Sequence, residues 1–128
     1  TGPDTDNLQR WHPAPGTDGI FYYAYFTGGM PDLNFDNPAV RKEIFDIGRF
    51  WLAKGVDGFR LDAAMHIFPD ERGPDSVAFW KEFRAEMQKM NPDVLLVGEV
   101  WAGSEKTGAF LPALGSVFNF ELAGAILD

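Results

Sequence analysis

The sequence has no cysteine, only two histidines, fewer basic than acidic residues and no long apolar run. Without cysteine there is no disulfide framework, no thiol nucleophile and no thiolate metal site. The chain carries 11 Lys and Arg against 19 Asp and Glu, so its net charge is −8. Such an acidic surface repels phosphate backbones and argues against nucleic acid as a partner. No stretch approaches the roughly 20 apolar residues that a membrane span needs.

The apolar content of the chain is high enough for a folded core. Apolar residues make up 45% of the 128 residues, which is too many for a disordered acidic tail. A chain of this length is one domain or part of a larger one. It begins without an initiator Met and without a basic-then-apolar leader, so we expect it to be the interior of a longer protein.

Glycine and proline separate the chain into two predicted parts. Residues 1–36 are so dense in both that no long helix fits between them. The segment 20–26 is rich in strand-forming residues and predicts one short strand. A loop-rich segment of this length is usually functional or belongs to a larger neighbour. Residues 37–128 carry the regular patterns and are expected to form the ordered part.

Helices and strands alternate in that second part. Asn37 and Pro38 are suited to begin a helix, and Gly55 is suited to end it in a left-handed conformation. Further helices are predicted over 76–90 and from 122, and strands over 56–62, 94–100 and 116–120. The residues expected to face the core from the first two helices are Val40, Ile44, Ile47, Trp51, Phe79, Phe83, Met87 and Met90. This alternation predicts an α/β fold with a parallel sheet.

Both central strands of the predicted sheet end in a carboxylate, Asp62 in the first and Glu99 in the second. Because side chains alternate along a strand, Arg60 and Asp62 share one face, and Phe59 and Leu61 share the other. Active sites of parallel α/β folds lie at the carboxyl ends of the strands. We therefore expect the two carboxylates to lie at the same edge of the sheet.

Two facing carboxylates suggest glycoside hydrolysis, in which one is the nucleophile and the other the proton donor. Arg60 would hold Asp62 in its ionised form. Glu99 has no cation near it in the sequence and follows the apolar segment 94–97, a setting that suits a proton donor. A buried Arg–Asp pair with a separate glutamate on a loop explains the positions equally well.

Three short motifs resemble those of the α-amylase superfamily of glycoside hydrolases. GFRLDAAMH at 58–66 is similar to the motif at the fourth strand of that barrel, and GEVW at 98–101 to the motif at the fifth. MPDLN at 30–34 resembles the motif before the third barrel helix, in the form found between the oligo-1,6-glucosidase and neopullulanase groups. Single motifs of this length are weak, but these three follow the family's order.

The resemblance implies both a fold and a site. Residues 37–128 would form part of a (β/α)₈ TIM barrel, about strands four to six, and residues 1–36 would be the C-terminal part of the inserted domain B. Asp62 matches the family's nucleophile, Glu99 its general acid/base, and Arg60 the arginine that orients the nucleophile. His66 matches a histidine that contacts sugar just past the cleavage point.

Three further positions follow from the resemblance. Trp101 is a candidate sugar contact, and packing at the barrel rim is an alternative role. Asp32 resembles a ligand of calcium-dependent α-amylases, to which the backbone carbonyl of His66 also contributes; capping a turn is an equally good role for Asp32. Met65 stands where many α-amylases have lysine, in the region that contacts the leaving-group sugars.

The resemblance implies that the parent protein is a retaining hydrolase of α-glucans such as starch and maltooligosaccharides. The family also uses a carboxylate motif after the seventh strand, which these residues do not contain, so we expect this chain to be inactive without the remainder of the same barrel. A polymeric starch substrate would favour secretion, although the sequence does not fix the compartment.

Two other functions are consistent with the residues. A noncatalytic, amylase-like binding or partner subunit would usually have lost the carboxylates that this sequence keeps. A metal-dependent barrel enzyme would use Asp62, His66 and Glu99 as ligands. Arg60 argues against that possibility, because its guanidinium would compete with the metal for Asp62.

Overall fold

The computed structural model describes residues 10–127, and the chain divides into two compact units, residues 1–34 and 35–128. Residues 1–9 of the predicted loop-rich part and residue 128 of the predicted barrel part lie outside the described residues. Because the described residues extend into both units, each unit has its own observed secondary structure.

The first unit contains an antiparallel strand pair. β1 (Trp11–Pro13) pairs with β2 (Phe21–Tyr23), and Trp11 lies opposite Tyr23. The rings of these two residues meet edge to face at 5.3 Å. β2 falls inside the segment 20–26 that predicted a strand. β1 was not predicted, because a three-residue strand that ends in proline is too short to show alternation.

The second unit is a parallel three-stranded sheet with helices packed against it. Its strands are in the order β3-β4-β5 and all pairs are parallel. The elements are α1 (Pro38–Ala53), β3 (Gly58–Leu61), α2 (Gly73–Gln88), β4 (Leu95–Gly98), α3 (Ser104–Gly108), α4 (Leu111–Leu114), β5 (Gly115–Val117) and α5 (Phe120–Leu127). Short 3₁₀ turns at Ala64–His66 and Asp70–Arg72 connect β3 to α2. The prediction of an α/β unit with a parallel sheet is therefore confirmed.

The ends of α1 follow from its sequence. The Asn37 side chain accepts a hydrogen bond from the backbone N–H of Ala39 at 2.9 Å, and Pro38 occupies the first helical position. Past the other end, Gly55 has φ +93°, a left-handed conformation that glycine adopts without steric cost. Both predicted helix boundaries are thus produced by local chemistry.

The packed face of α1 differs from the predicted one. Phe45 and Gly48 are buried, whereas the predicted Ile47 and Trp51 are about half exposed. A Cβ at Gly48 would lie 2.5 Å from the sulfur of Met87, so the glycine allows α1 to approach α2 closely. The predicted core-facing set was wrong at Ile47 and Trp51. The two helices meet at Gly48, and a glycine gives no hydrophobic signal from which the contact could be predicted.

The core of the unit lies between α2 and the sheet. Phe79, Phe83 and Met87 are buried as predicted, whereas Met90 lies beyond the end of α2 and is about half exposed. Phe83 also meets the ring of Phe59 on β3, with centroids 6.1 Å apart. The predicted division of β3 into a packed apolar face and a polar face therefore appears in the structure.

The predicted third strand ends earlier than expected. β5 stops at Val117 and α5 begins at Phe120, so residues 118–120 of the predicted strand are not strand. The side-chain oxygen of Asn119 accepts a hydrogen bond from the backbone N–H of Leu122 at 2.9 Å. This contact caps the helix and turns the chain before the strand can continue. Within residues 10–127, none of the helices has the length and apolarity of a membrane span.

Candidate active site

The two candidate carboxylates follow adjacent parallel strands. Leu61 of β3 is in register with Gly98 of β4, so Asp62 and Glu99 each come one residue after a matched pair. The backbone N–H of Glu99 donates to the carbonyl of Leu61 at 2.9 Å, and that of Ala64 donates to the carbonyl of Glu99, also at 2.9 Å. The backbone of Glu99 is therefore hydrogen-bonded to the residues just before and just after Asp62 and Ala63.

Close packing requires glycine at the start of β3 and the end of β4. A Cβ on Gly58 would overlap the backbone carbonyl of Leu95 on the neighbouring strand. A Cβ on Gly98 would overlap a methyl group of Leu114 in α4. Both glycines lie within the motifs that carry the candidate carboxylates, so these motifs are constrained by packing as well as by chemistry.

A single guanidinium contacts both carboxylates. Nη1 of Arg60 lies 2.6 Å from Oδ1 of Asp62, and Nη2 contacts Oε2 of Glu99. The structure therefore brings Arg60, Asp62 and Glu99 together. The Asp62 side chain is 76% exposed and that of Glu99 is 21% exposed, so Asp62 is the more open of the two.

The contact with Glu99 was not expected from the sequence, where no cation lies near this residue. Arg60 is in register with Val97, and Glu99 follows Val97 by two residues, just past the end of β4 and on the same face. The parallel register of β3 and β4 therefore brings Arg60 next to Glu99, although the two residues are far apart in the sequence. Since an arginine presents several N–H donors in a planar fork, it can contact two carboxylates at once.

The loop after β3 is held against α2 by hydrogen bonds. The indole N–H of Trp80 donates to the carbonyl of Ala64 at 2.7 Å. The hydroxyl of Ser76 lies 3.3 Å from the carbonyl of Met65, and it accepts from the backbone N–H of Phe68 at 3.2 Å. These bonds join buried polar groups, so they stabilise the loop in the observed conformation.

Strain is present at the same place. Ala63 has φ +43° and is the sole non-glycine residue with positive φ in the described part of the chain. A side chain in this conformation is uncommon, and such strain often occurs at functional sites. Ala63 directly follows Asp62, so the strained residue lies next to the candidate nucleophile.

His66 lies at the end of the first 3₁₀ turn, and its side chain is 12% exposed. Its Nδ1 is 3.3 Å from Oδ1 of Asp70, four residues later. The neighbouring Met65 is buried in the core. At the position where many α-amylases have lysine, the chain therefore contributes an apolar residue to packing.

An ion-pair cluster holds the second 3₁₀ turn. Arg72 donates to both carboxylate oxygens of Asp36, at 2.7 and 2.9 Å, and to Asp75 at 2.7 Å. Its guanidinium also stacks over the ring of Phe68 at 4.3 Å. The hydrogen bond from Arg72 is the main cause that lowers the pKa of Asp36 below its ordinary value. The bonds to Asp36 and Asp75 raise the pKa of Arg72 further above its usual range.

Comparison with known proteins decides the family. A family model described as the alpha amylase catalytic domain matches residues 7–125. The chain belongs to the α-amylase family. It is 47% identical over 122 residues to Alpha-amylase 3 of Dictyoglomus thermophilum, which covers 95% of this chain and 23% of that protein. It is also 42% identical over 79 residues to Neopullulanase 2 of Thermoactinomyces vulgaris, covering 62% of this chain and 12% of that protein.

A solved structure gives the same result. The crystal structure of the α-amylase from H. orenii matches with a TM-score of 0.84 and 44% identity, over 98% of this chain and 27% of that one. The expectation of a partial (β/α)₈ barrel of the α-amylase type is confirmed. The chain spans less than a quarter of the length of the two curated relatives.

The candidate sugar contact of this α-amylase segment is open to solvent. Trp101 is 71% exposed and stacks on the ring of Phe120, with centroids 4.2 Å apart and planes at 23°. The ring of Phe118 also stacks on that of Phe120, with centroids 5.7 Å apart. The sequence analysis did not identify Phe118 and Phe120 as neighbours of Trp101. Their spacing of two residues just after β5 was a signal that both rings could lie on the same side of the chain.

Asp32 closes a turn in the first unit. Its Oδ2 accepts from the backbone N–H of Tyr25 at 2.8 Å, and its own N–H donates to the carbonyl of Tyr23 at 3.0 Å. Members of the α-amylase family often bind calcium. Residues 10–127, however, bring together no group of three or more His, Asp or Glu side chains suited to a metal. That finding includes the set Asp62, His66 and Glu99, so the structure does not support a metal centre built on these side chains.

Proposed function

We propose that the protein containing this chain is a retaining glycoside hydrolase of α-glucans, with Asp62 as nucleophile and Glu99 as general acid/base. The observation that carries the proposal is the pair of carboxylates at the ends of adjacent parallel strands, in contact with one arginine. The names of the relatives, an α-amylase and a neopullulanase, support an α-glucan as substrate.

In the first step, a carboxylate oxygen of Asp62 forms a bond to the anomeric carbon while the bond from that carbon to the glycosidic oxygen breaks. Glu99, in its protonated form, donates its proton to the departing oxygen. In the second step, Glu99 takes a proton from water, the water oxygen binds the anomeric carbon, and the ester bond to Asp62 breaks. The product keeps its anomeric configuration.

The exposures of the two side chains suit these roles. Asp62, which is the more open, can be reached by a sugar ring, and its contact with Arg60 orients its carboxylate for attack. Glu99 is more covered. His66 and Trp101 are proposed as sugar contacts beside this pair, His66 on the loop after β3 and Trp101 on the segment after β4.

The test is to express the full-length parent protein and to assay the hydrolysis of starch and maltooligosaccharides. Asp62→Asn and Glu99→Gln should each lower kcat by about 10³-fold or more, as is usual when a catalytic group is removed. Asp57→Asn is the matched control, because Asp57 is an exposed carboxylate just before β3 and outside the site. NMR of the first-formed product should show the α-anomer.

The competing function is a noncatalytic, amylase-like binding or partner subunit. It predicts a wild-type parent protein that binds maltooligosaccharides without hydrolysing them, and binding that Asp62→Asn leaves unchanged. We also propose that the 128-residue chain alone is inactive, because the remainder of the barrel supplies the family's third carboxylate. Activity of the isolated chain would contradict this second statement and leave the first intact.

Calcium is a separate proposal, and no step above passes through it. The resemblance assigns Asp32 as a ligand, although one of its oxygens already accepts from Tyr25. If Asp32 binds calcium, EDTA should lower the Tm of the full-length protein and should lower that of Asp32→Asn much less. Asparagine keeps an oxygen acceptor for the Tyr25 N–H. Equal shifts in both proteins would remove Asp32 from the calcium site.

A further inference from the structure

The contact between His66 and Asp70 has no part in the mechanism above. We propose that Asp70 is a positioning residue, which orients the imidazole of His66 for contact with the substrate and sets the ring nitrogen that carries the proton. This inference rests on the proposed function, because it deepens the role of His66 in the same site. Asp70 itself would not touch the sugar.

The geometry places the carboxylate against one particular nitrogen. Nδ1 of His66 and Oδ1 of Asp70 are 3.3 Å apart, and both atoms are buried. A carboxylate is an acceptor only, so it favours the ring form with the proton on Nδ1. Nε2 is then an acceptor, which suits a sugar hydroxyl as donor. At 3.3 Å the two atoms are slightly too far apart for a normal hydrogen bond, and the contacts of functional side chains often tighten when substrate binds.

A positioning residue must itself be fixed, and the structure supplies this condition on both sides of Asp70. On the N-terminal side of Asp70, the carbonyl of Met65 and the backbone N–H of Phe68 both bind the hydroxyl of Ser76. After it, Arg72 binds Asp36 through two hydrogen bonds. The segment 65–72 therefore has anchors to α2 and to the residues that precede α1. Such support is what holds a functional side chain within a few tenths of an ångström of its working geometry.

Asp70 differs from the neighbouring carboxylates in its contact with the imidazole of His66. Glu71, the next residue on the same 3₁₀ turn, is an exposed carboxylate. Asp75 binds Arg72. Of these three carboxylates, only Asp70 lies against the imidazole in the structure. Glu71→Ala is therefore a matched control, since it removes an acidic side chain from the same turn and leaves the His66 contact intact.

The test is a double-mutant cycle on kcat/KM in the full-length enzyme, with Asp70→Ala, His66→Ala and the double variant. Asp70→Ala should lower kcat/KM by about 10- to 150-fold, the range for one hydrogen bond to a charged group. The loss should appear mainly in KM. In the His66→Ala background the same change should alter kcat/KM by less than about twofold, because the two residues act as a unit.

Two further measurements separate positioning from a general loss of structure. Asp70→Asn keeps an oxygen acceptor and should recover most of the activity, with a Tm close to that of the wild type. Glu71→Ala should match the wild type in kcat/KM. Equal effects of Asp70→Ala with and without His66 would overturn the proposal, as would a failure of Asp70→Asn to restore activity at unchanged Tm.

Failure of this inference can be told from failure of the proposed function. If Asp62→Asn abolishes hydrolysis while the cycle shows additive effects, the hydrolase proposal stands and the role of Asp70 is wrong. If Asp62→Asn keeps full activity, the nucleophile assignment is wrong. The cycle then still reports whether Asp70 acts through His66, because it needs only a measurable turnover.

Discussion

The two faces of the β3–β4 pair differ in what covers them. On one face, Leu96 is 1% exposed and packs into the core beneath the helices, with Leu61 beside it. On the other face, Leu95 is 58% exposed, and the polar group formed by Arg60 and the two carboxylates lies at its edge. The packed face holds the segment together, and the open face carries the candidate site.

This difference shows that, within the segment, the residues that pack the core and the residues of the candidate site lie on opposite faces of the same two strands. Helix α2 and the sheet bury one apolar face within the segment itself. In a closed (β/α)₈ barrel, the opposite face of each strand points to the barrel interior, which side chains from the other strands fill. An apolar residue that is exposed here, such as Leu95, is thus expected to be covered in the full-length protein.

Beyond the carboxylates themselves, the largest expected effect on the open face is that of Arg60→Lys. Arg60→Lys keeps a positive charge but replaces the fork with a single ammonium, which cannot match two carboxylates in the same way. We expect kcat in the full-length enzyme to fall by about 10²-fold or more. Tm should change little, because the side chain is half exposed. A large fall in Tm with retained kcat would place Arg60 among the structural residues and contradict the division of the two faces.

The next effect compares adjacent leucines on opposite faces of β4. Leu96→Ala should lower the free energy of unfolding by about 2–5 kcal/mol, as expected for a buried leucine. Leu95→Ala should cost less than about 1 kcal/mol in the 128-residue chain, where the side chain is largely in water. In the full-length protein the cost of Leu95→Ala should rise toward that of Leu96→Ala. Denaturant unfolding of both forms measures this, and an equally small cost in both would show that the face stays open.

A smaller effect separates the two roles of Trp101. As a sugar contact, Trp101→Ala should raise KM for maltooligosaccharides by about tenfold, the worth of one aromatic stacking interaction. Trp101→Phe should restore most of the affinity. Phe120→Ala, which removes the stacking partner, should raise KM less. A lowered Tm with unchanged KM in Trp101→Ala would support rim packing.

The smallest effect is the pH dependence of the Asp36–Arg72 pair. The folded state lowers the pKa of Asp36 below its ordinary value of 3.8, mainly through the hydrogen bond from Arg72. The pair therefore contributes stability above that value and loses it as the pH falls through the lowered pKa. Wild-type Tm should exceed that of Asp36→Asn at pH 7, and the difference should shrink below pH 4. A Tm difference between the two proteins that does not change with pH would show that the charge of Asp36 does not contribute to stability.

Local signals predicted a large part of the fold. The cap at Asn37, the proline that follows it and the left-handed Gly55 are each determined by neighbours in the chain, so the bounds of α1 could be read from the sequence. The strand-end carboxylates were placed correctly at one edge of the sheet, since alternation and parallel pairing suffice for that. The roles of Asp62 and Glu99 stay predictions.

Contacts between distant residues were harder to predict. The approach of Arg60 to Glu99 depends on the register of β3 and β4. The hydrophobic pattern fixes which face of each strand is buried, but a slip of two residues would keep the same faces and separate these two side chains. The packed face of α1 depends on Gly48 meeting Met87, and a glycine carries no hydrophobic signal. β1 was missed because it has only three residues. Each of these features is set by tertiary contacts.

The shared guanidinium has a consequence for the movement of charge in the proposed reaction. When the covalent intermediate forms, Asp62 loses its negative charge to the ester bond and Glu99 gains one by giving up its proton. Arg60 already contacts both carboxylates, so it would remain beside the charged one before and after the step. The guanidinium of Arg60 would then not need to move, and water would not need to reorient as the charge moves. The activation free energy would therefore include no reorganisation term for this charge.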